Sequence, residues 1–167
     1  MRALDLHISF VREALVLLDS LRPEADIELS TDEPTTAWNE FAVARTVQAP
    51  GSLGERIYAA LAGALAAGRP QVIILGSDSP GLPIDHLRVL LASPADVSLG
   101  PAEDGGFYAM ACRKIAPPMF DGVRWSAGTT LQDTVEASRR CGLTVELGRP
   151  WFDIDRPEDL ARLADAP

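Results

Sequence analysis

Q-V-I-I-L-G-S-D-S-P-G-L-P, spanning Gln71 to Pro83, is the stretch around which the rest of the chain can be read. Four apolar residues, Val72 to Leu75, run into a turn rich in glycine, serine and proline. A continuous apolar run of this kind, ended by turn residues, predicts a strand buried on both faces. Asp78 follows just past the carboxyl end of that strand, where open α/β sheets bind their ligands. The position predicts that Asp78 holds a divalent metal, magnesium or manganese, on a phosphate-bearing substrate.

Outward from this stretch the periodicity alternates between helix and strand. Met1 to Arg22 carries Leu4, Ile8, Val11, Leu15 and Leu18 at three- and four-residue steps, one buried helical stripe. Ala25–Leu29 and Phe41–Val47 are weaker strand candidates. Ser52-Leu53-Gly54-Glu55 has the form of a capping box and opens a helix that runs to about Ala67, stopped by Gly68. Beyond the central strand, Pro83–Ala92 reads as a helix, Asp96–Leu99 and Phe107–Cys112 as strands, and Pro117–Phe120 as a short helical turn. Thr129–Arg140 reads as a helix, Thr144–Leu147 and Trp151–Ile154 as strands, and Asp155-Arg156-Pro157-Glu158 as a second capping box before a terminal helix. The alternation predicts one domain over residues 1–167, a three-layer α/β/α sandwich around a mostly parallel sheet.

Carboxylates follow three of the strands: Asp78, then Glu103 with Asp104, then Asp153 with Asp155. Hard cations take one or two carboxylates together with substrate phosphates, and three acidic turns at one sheet edge would supply them. Aspartate is also common in turns because its side chain bonds nearby amides. Asp155 has such a role ready as the N-cap of its own helix, which ranks Asp153 above it as a ligand. Gly105 and Gly106 have two readings, a tight turn needing positive φ or a close approach of backbone to a bound sugar or phosphate. Ser126 is placed to cap the helix starting near Ala127, and Trp125 reads as core rather than as a stacking platform.

Composition narrows the function classes. A 47% hydrophobic and 23% charged chain is that of an ordinary soluble domain. No apolar run approaches the roughly 20 residues of a membrane span, and no signal peptide is recognisable at Met1. A formal charge of −9 argues against nucleic-acid binding. Lys114 is the only lysine, so phosphate would have to be met by arginines, backbone amides or a metal. Cys112 and Cys141 have no metal-ligand spacing and read as reduced, structural thiols of a cytoplasmic protein. No P-loop or dinucleotide fingerprint occurs. Gly76–Gly81 resembles a nucleophile elbow, but Asp78 stands where the serine should be. Of the only two histidines, His7 reads as a structural or surface residue and His86 as a surface residue rather than a catalyst.

Taken together and in order, L-G-S-D-S-P-G-L-P, G-P-A-E-D-G-G-F-Y, R-W-S and D-I-D-R-P-E-D-L resemble a glycosyltransferase-A-like family filed as a domain of unknown function. That family lies within the nucleotide-diphospho-sugar transferase superfamily, and the resemblance runs from about Gly51 to Leu163. A Q-x-x-G-D-L-G-x-R segment of the family is matched by Gln48, Gly51, Leu53, Gly54 and Arg56, with Ser52 in place of the usual Asp. Ala127 replaces the usual Thr after W-S. The resemblance implies a metal-dependent glycosyltransferase using a nucleotide-sugar donor. Asp78 and Asp104 would be catalytic, and Asp78 with Asp153 or Asp155 would bind the metal. Ser79, Pro80, Gly105, Gly106, Trp125, Ser126 and Arg56 would line the substrate pocket.

A similar trio of motifs in phospholactate guanylyltransferases gives a nucleotidyltransferase as the alternative activity, and a non-catalytic binding module of the same fold is a third. Family members begin with a strand and a basic loop of the type K-x-P-x-P-G-x-x-K-T-R-L, whereas this sequence opens in the helix that follows them. Without that strand the sheet is expected to divide into two halves, leaving an exposed edge that would favour a homodimer.

Overall fold

The computed structural model describes residues 3–154 and Arg162. Its elements, in chain order, are α1 (Ala3–Asp19), β1 (Glu28–Thr31), β2 (Ala44–Val47), α2 (Leu53–Ala66), β3 (Val72–Leu75), α3 (Ile84–Ala92), β4 (Val97–Pro101), β5 (Phe107–Cys112), a 3-10 turn (Pro117–Phe120), α4 (Thr130–Arg140) and β6 (Val145–Leu147). The capping box of α2 forms as the sequence predicts. Glu55 N–H donates to the Ser52 hydroxyl, and Ser52 N–H donates to the Glu55 carboxylate at 2.7 Å. The terminal helix expected after Asp155 lies outside the described residues.

Strands β3, β5, β4 and β6 form one sheet in that order. β5 runs antiparallel to both neighbours, while β4 and β6 are parallel. The sheet is therefore mixed, with β3, β4 and β6 pointing one way and β5 reversed. The reversal follows from the short link 102–106 between β4 and β5, since a parallel crossover needs on the order of a dozen residues. Trp151–Ile154, expected as a strand, contributes only an isolated bridge between Trp151 and Ala102.

Alternating side chains of this sheet enter two cores, giving the three layers. On one face Ile73, Leu75, Ala109 and Ala111 meet Leu17 and Leu18 at the end of α1, Leu21 just past it, and Leu87 and Leu90 of α3. On the other, Val72, Ile74, Met110 and Cys112 meet Ile57 and Leu61 of α2, Met119 of the 3-10 turn and Val135 of α4.

The sheet is divided, as expected. β1 and β2 form a separate parallel pair, and no ladder joins β1 to β3 among the described residues. Polar contacts tie the loop between β1 and β2 to α1 and to the residues just past it: Trp38 Nε1 donates to Ile8 O at 3.2 Å and Arg22 Nη2 to Ala42 O at 2.8 Å. Arg12 pairs with Glu40, and Arg69, just before β3, pairs with Asp26. β3 is consequently an edge strand, and all four of its residues are half-buried where burial on both faces was expected. β4 and β5, paired on both sides, are almost entirely buried.

Candidate active site

The carboxyl end of β3 is where the predicted acidic turns meet. Gly76 N–H donates to Tyr108 O at 2.9 Å, tying the start of the 76–83 turn to β5. Ile154 N–H donates to Asp78 O at 2.9 Å, bringing the segment that carries Asp153 alongside Asp78. Glu103 N–H donates to Trp151 O at 3.0 Å, which ties the third acidic turn to the same segment. Backbone hydrogen bonds thus converge the three turns that the sequence separates by up to about 75 residues, a consequence of sheet order.

The side chains differ in accessibility. Asp78 is exposed, and its carboxylate accepts from the Ser77 hydroxyl at 3.1 Å. Asp104 is exposed, and its Oδ1 accepts Gly106 N–H at 2.7 Å. Asp153 is half-buried, and Asp155 lies outside the described residues. Among the described residues no three Asp, Glu, His or Cys side chains are grouped closely enough to cage a metal ion. Asp78 and Asp153 still offer hard oxygen donors of the kind that hold a cation jointly with phosphate oxygens.

The remaining predicted residues divide into two groups. Ser79 is half-buried, whereas Pro80 is buried, and both line a narrow cleft against Phe10, Ala14 and Leu17 of α1. Pro80 therefore shapes the turn from beneath rather than facing a substrate. Gly105 has φ of 92°, and a Cβ there would lie 2.1 Å from Gly128 O, so its role is close backbone packing against the 124–129 loop. Arg56 donates from Nε to Gly51 O at 2.9 Å and from Nη1 to Gln48 Oε1 at 3.3 Å, which accounts physically for the Gln-Gly-Arg spacing of that motif.

Trp125 is half-buried between Phe107 and Phe120, with Gly54 beneath its indole, at the margin of the core. Ser126 does not cap a helix. α4 starts at Thr130, and Ser126 adopts a left-handed φ of 54°.

Two features beside the site escape the sequence reading. Arg124 grips Asp133 with Nε and Nη2, each at 2.9 Å, and its backbone N–H adds a third bond at 3.1 Å. These bonds bring the Asp133 carboxyl down to about 2. The pair closes the 124–133 loop, and neither residue carries a spacing signal that would have paired them. His86, expected at the surface, is buried, because α3 turns positions 86, 87 and 90 inward together. Its ring meets the edge of Trp151 at 5.3 Å, and its Nδ1 lies 3.5 Å from the Tyr108 hydroxyl, which donates to Arg149 O at 2.9 Å.

Burial, then the Arg149 charge, lower the His86 pKa, with Asp85 opposing. The native state therefore holds His86 neutral where the unfolded chain, titrating near 6.5, already binds a proton. Stability should fall as pH drops below about 6.5 and level off below the native pKa. Urea midpoints measured from pH 7.5 to 5 should show this slope in the wild type and lose it in His86→Gln.

With the geometry established, comparison with known proteins places the chain. Residues 15–127 match a family described as "Uncharacterized protein conserved in bacteria (DUF2064)". The chain belongs to this family. A 2-phospho-L-lactate guanylyltransferase of Methanosarcina barkeri (strain Fusaro / DSM 804) is 32% identical over 107 residues, 62% of this chain and 50% of that protein. The chain thus spans about half the length of this curated relative. A crystal structure of a Desulfovibrio desulfuricans G20 protein, provisionally called a nucleotide-diphospho-sugar transferase, superposes with a TM-score of 0.83 at 32% identity. The superposition covers 95% of this chain and 72% of that one. The family member described here therefore has a nucleotide-diphospho-sugar transferase-like fold. Among its described residues no helix is long and apolar enough to cross a membrane.

Proposed function

We propose that this chain is a metal-dependent transferase acting on a nucleotide-bearing substrate, with a glycosyl group of a nucleotide sugar as the group transferred. The observation that carries the reading is the convergence of the Asp78, Asp104 and Asp153 segments at the carboxyl end of β3 through backbone hydrogen bonds. Asp78 and Asp153 would hold the cation. A bound cation would neutralise charge developing on the diphosphate leaving group. Asp104 serves as the base: Oδ1 is engaged by Gly106 N–H, and Oδ2 takes the proton of the acceptor hydroxyl as that oxygen attacks the anomeric carbon. The bond from that carbon to the diphosphate oxygen breaks in the same step. The Gly105–Gly128 contact holds the base-bearing turn in place.

Nucleotidyl transfer is the second reading, favoured by the 32% identity to a guanylyltransferase. There an acceptor phosphate oxygen would attack the α-phosphorus of a nucleoside triphosphate and release pyrophosphate. Calorimetric titration with UDP-glucose, GDP-mannose, GTP and CTP, with and without manganese, distinguishes the readings. Manganese-dependent binding of a nucleotide sugar is expected; preference for a triphosphate would favour nucleotidyl transfer, and no binding by any member would count against both.

A further inference from the structure

Three carboxylate-bearing turns gather at the carboxyl end of β3, and a nucleotide would bring further negative charge to them. A side-chain cation at that place would offset the repulsion together with a metal. The single lysine, Lys114, is paired with Asp96 at 3.2 Å. Arg56 is engaged by Gly51 O and Gln48, and Arg124 by Asp133. Among the ion pairs between described residues, one reaches an acidic turn: Arg162 Nη2 donates to Glu103 Oε2 at 2.8 Å.

This bond puts Arg162 one residue from Asp104. The guanidinium carbon also lies 4.2 Å from the centroid of the Phe152 ring, one residue from Asp153. Phe152 is a fixed platform, buried, stacked on Trp151 at 4.8 Å and packed with Phe10 and Ile154. Arg162 therefore spans the Asp104 turn and the Asp153 segment. Backbone bonds already join those two: Glu103 N–H donates to Trp151 O at 3.0 Å, and Trp151 N–H to Pro101 O at 2.9 Å. As a clamp Arg162 adds little to them, because the Arg162 and Glu103 side chains are 41% and 55% exposed and a pair so open to water is weak. The bond to Glu103 uses one of the five N–H donors of the guanidinium. A planar cation laid on an aromatic ring, with donors to spare, is suited to phosphate.

We propose that Arg162 is a phosphate contact of this site, its guanidinium exchanging Glu103 for phosphate oxygens of a nucleotide held at Asp78 and Asp153. The inference rests on the nucleotide reading above and names the side-chain cation within it.

Arg162→Gln, Arg162→Lys and Glu103→Gln separate contact from clamp. Both side chains stand about half in water, so each variant should melt within about 2 °C of wild type. Titration with GTP and with UDP-glucose, each with manganese, is read for whichever nucleotide wild type binds. Arg162→Gln should weaken binding by about 10–100-fold, the worth of a hydrogen-bonded charge on a phosphate. Arg162→Lys, which keeps the charge and loses the planar fork, should lose less. Glu103→Gln should leave affinity unchanged or raise it up to about fivefold, because the guanidinium is freed from a competing carboxylate.

A clamp would behave in the opposite way, and Glu103→Gln weakening binding as much as Arg162→Gln would overturn the proposal. So would an equal loss in Arg139→Gln, which removes the same charge from the last turn of α4. Added sodium chloride should weaken wild type more steeply than Arg162→Gln, since an ionic contact is screened; parallel salt curves would overturn phosphate as the target. Equal affinity in wild type and Arg162→Gln would overturn the contact and leave the nucleotide reading standing. Absence of wild-type binding to either probe, seen in the wild-type arm alone, would remove both.

Discussion

Gly105→Ala should lower the melting temperature by on the order of 10 °C and disable ligand binding at the carboxyl end of β3. The residue combines two costs. At φ 92° a side chain is strained by about 1–2 kcal/mol. The added Cβ would also stand 2.1 Å from Gly128 O and 2.7 Å from Gly128 Cα, both backbone atoms that cannot swing aside. Relieving that overlap means parting the 102–106 turn from the 124–129 loop, at about 1–3 kcal/mol more. At about 2–4 °C per kcal/mol for a chain of this size, the sum gives the stated shift.

The parting would also break the bond from Leu131 N–H to Gly105 O at 2.9 Å, and Asp104 would move with the turn. Gly122 supplies the comparison. Its φ is 80°, and nothing lies within 4 Å of a Cβ built there, so Gly122→Ala carries the strain alone. Differential scanning calorimetry of both variants isolates the close approach. A Gly105→Ala variant no less stable than Gly122→Ala would contradict the packing of turn against loop.

The features that were legible in the sequence are the ones determined locally. The α2 capping box, the β3 and β5 spans and the Pro117–Phe120 turn are set by neighbouring residues, and each appears within a residue of its expected place. The acidic turns after β3 and β4 were legible too, since each follows its strand directly, whereas the Asp153 segment was expected as a strand and forms only an isolated bridge at Trp151. Which strands neighbour one another was not. Val72–Leu75 is apolar toward both faces, and that pattern is the same for a central strand and an edge strand. Its half-burial goes with its having no strand partner on the β1 side among the described residues, a non-local fact.

Two further features follow from local geometry in the sequence. The five residues 102–106 are too few for a parallel crossover, so β5 had to reverse. His86 shares its helical face with Leu87 and Leu90, and that face is the buried one. The Arg124–Asp133 pairing and the left-handed Ser126 had no such signal, because both arise from how the 124–133 loop closes in space.

If Asp78 anchors a metal-bound nucleotide, Asp78→Asn should lose the ligand and keep the fold. The fold should tolerate the change. Asp78 is exposed, its backbone carbonyl holds Ile154 N–H whatever the side chain, and an asparagine oxygen can still accept from Ser77. Melting should stay within about 0.5 kcal/mol of wild type, as for other exposed substitutions. Binding should not survive. Losing a group that merely supports a metal ligand costs roughly 10–100-fold in affinity, and losing the ligand's own charge should cost more. Calorimetric titration of wild type and Asp78→Asn with the nucleotide that wild type binds, in the presence of manganese, is the decisive measurement. An affinity at least about a hundredfold weaker is expected in a variant of native stability; equal affinity and equal manganese dependence in the two proteins would contradict a metal-anchoring Asp78.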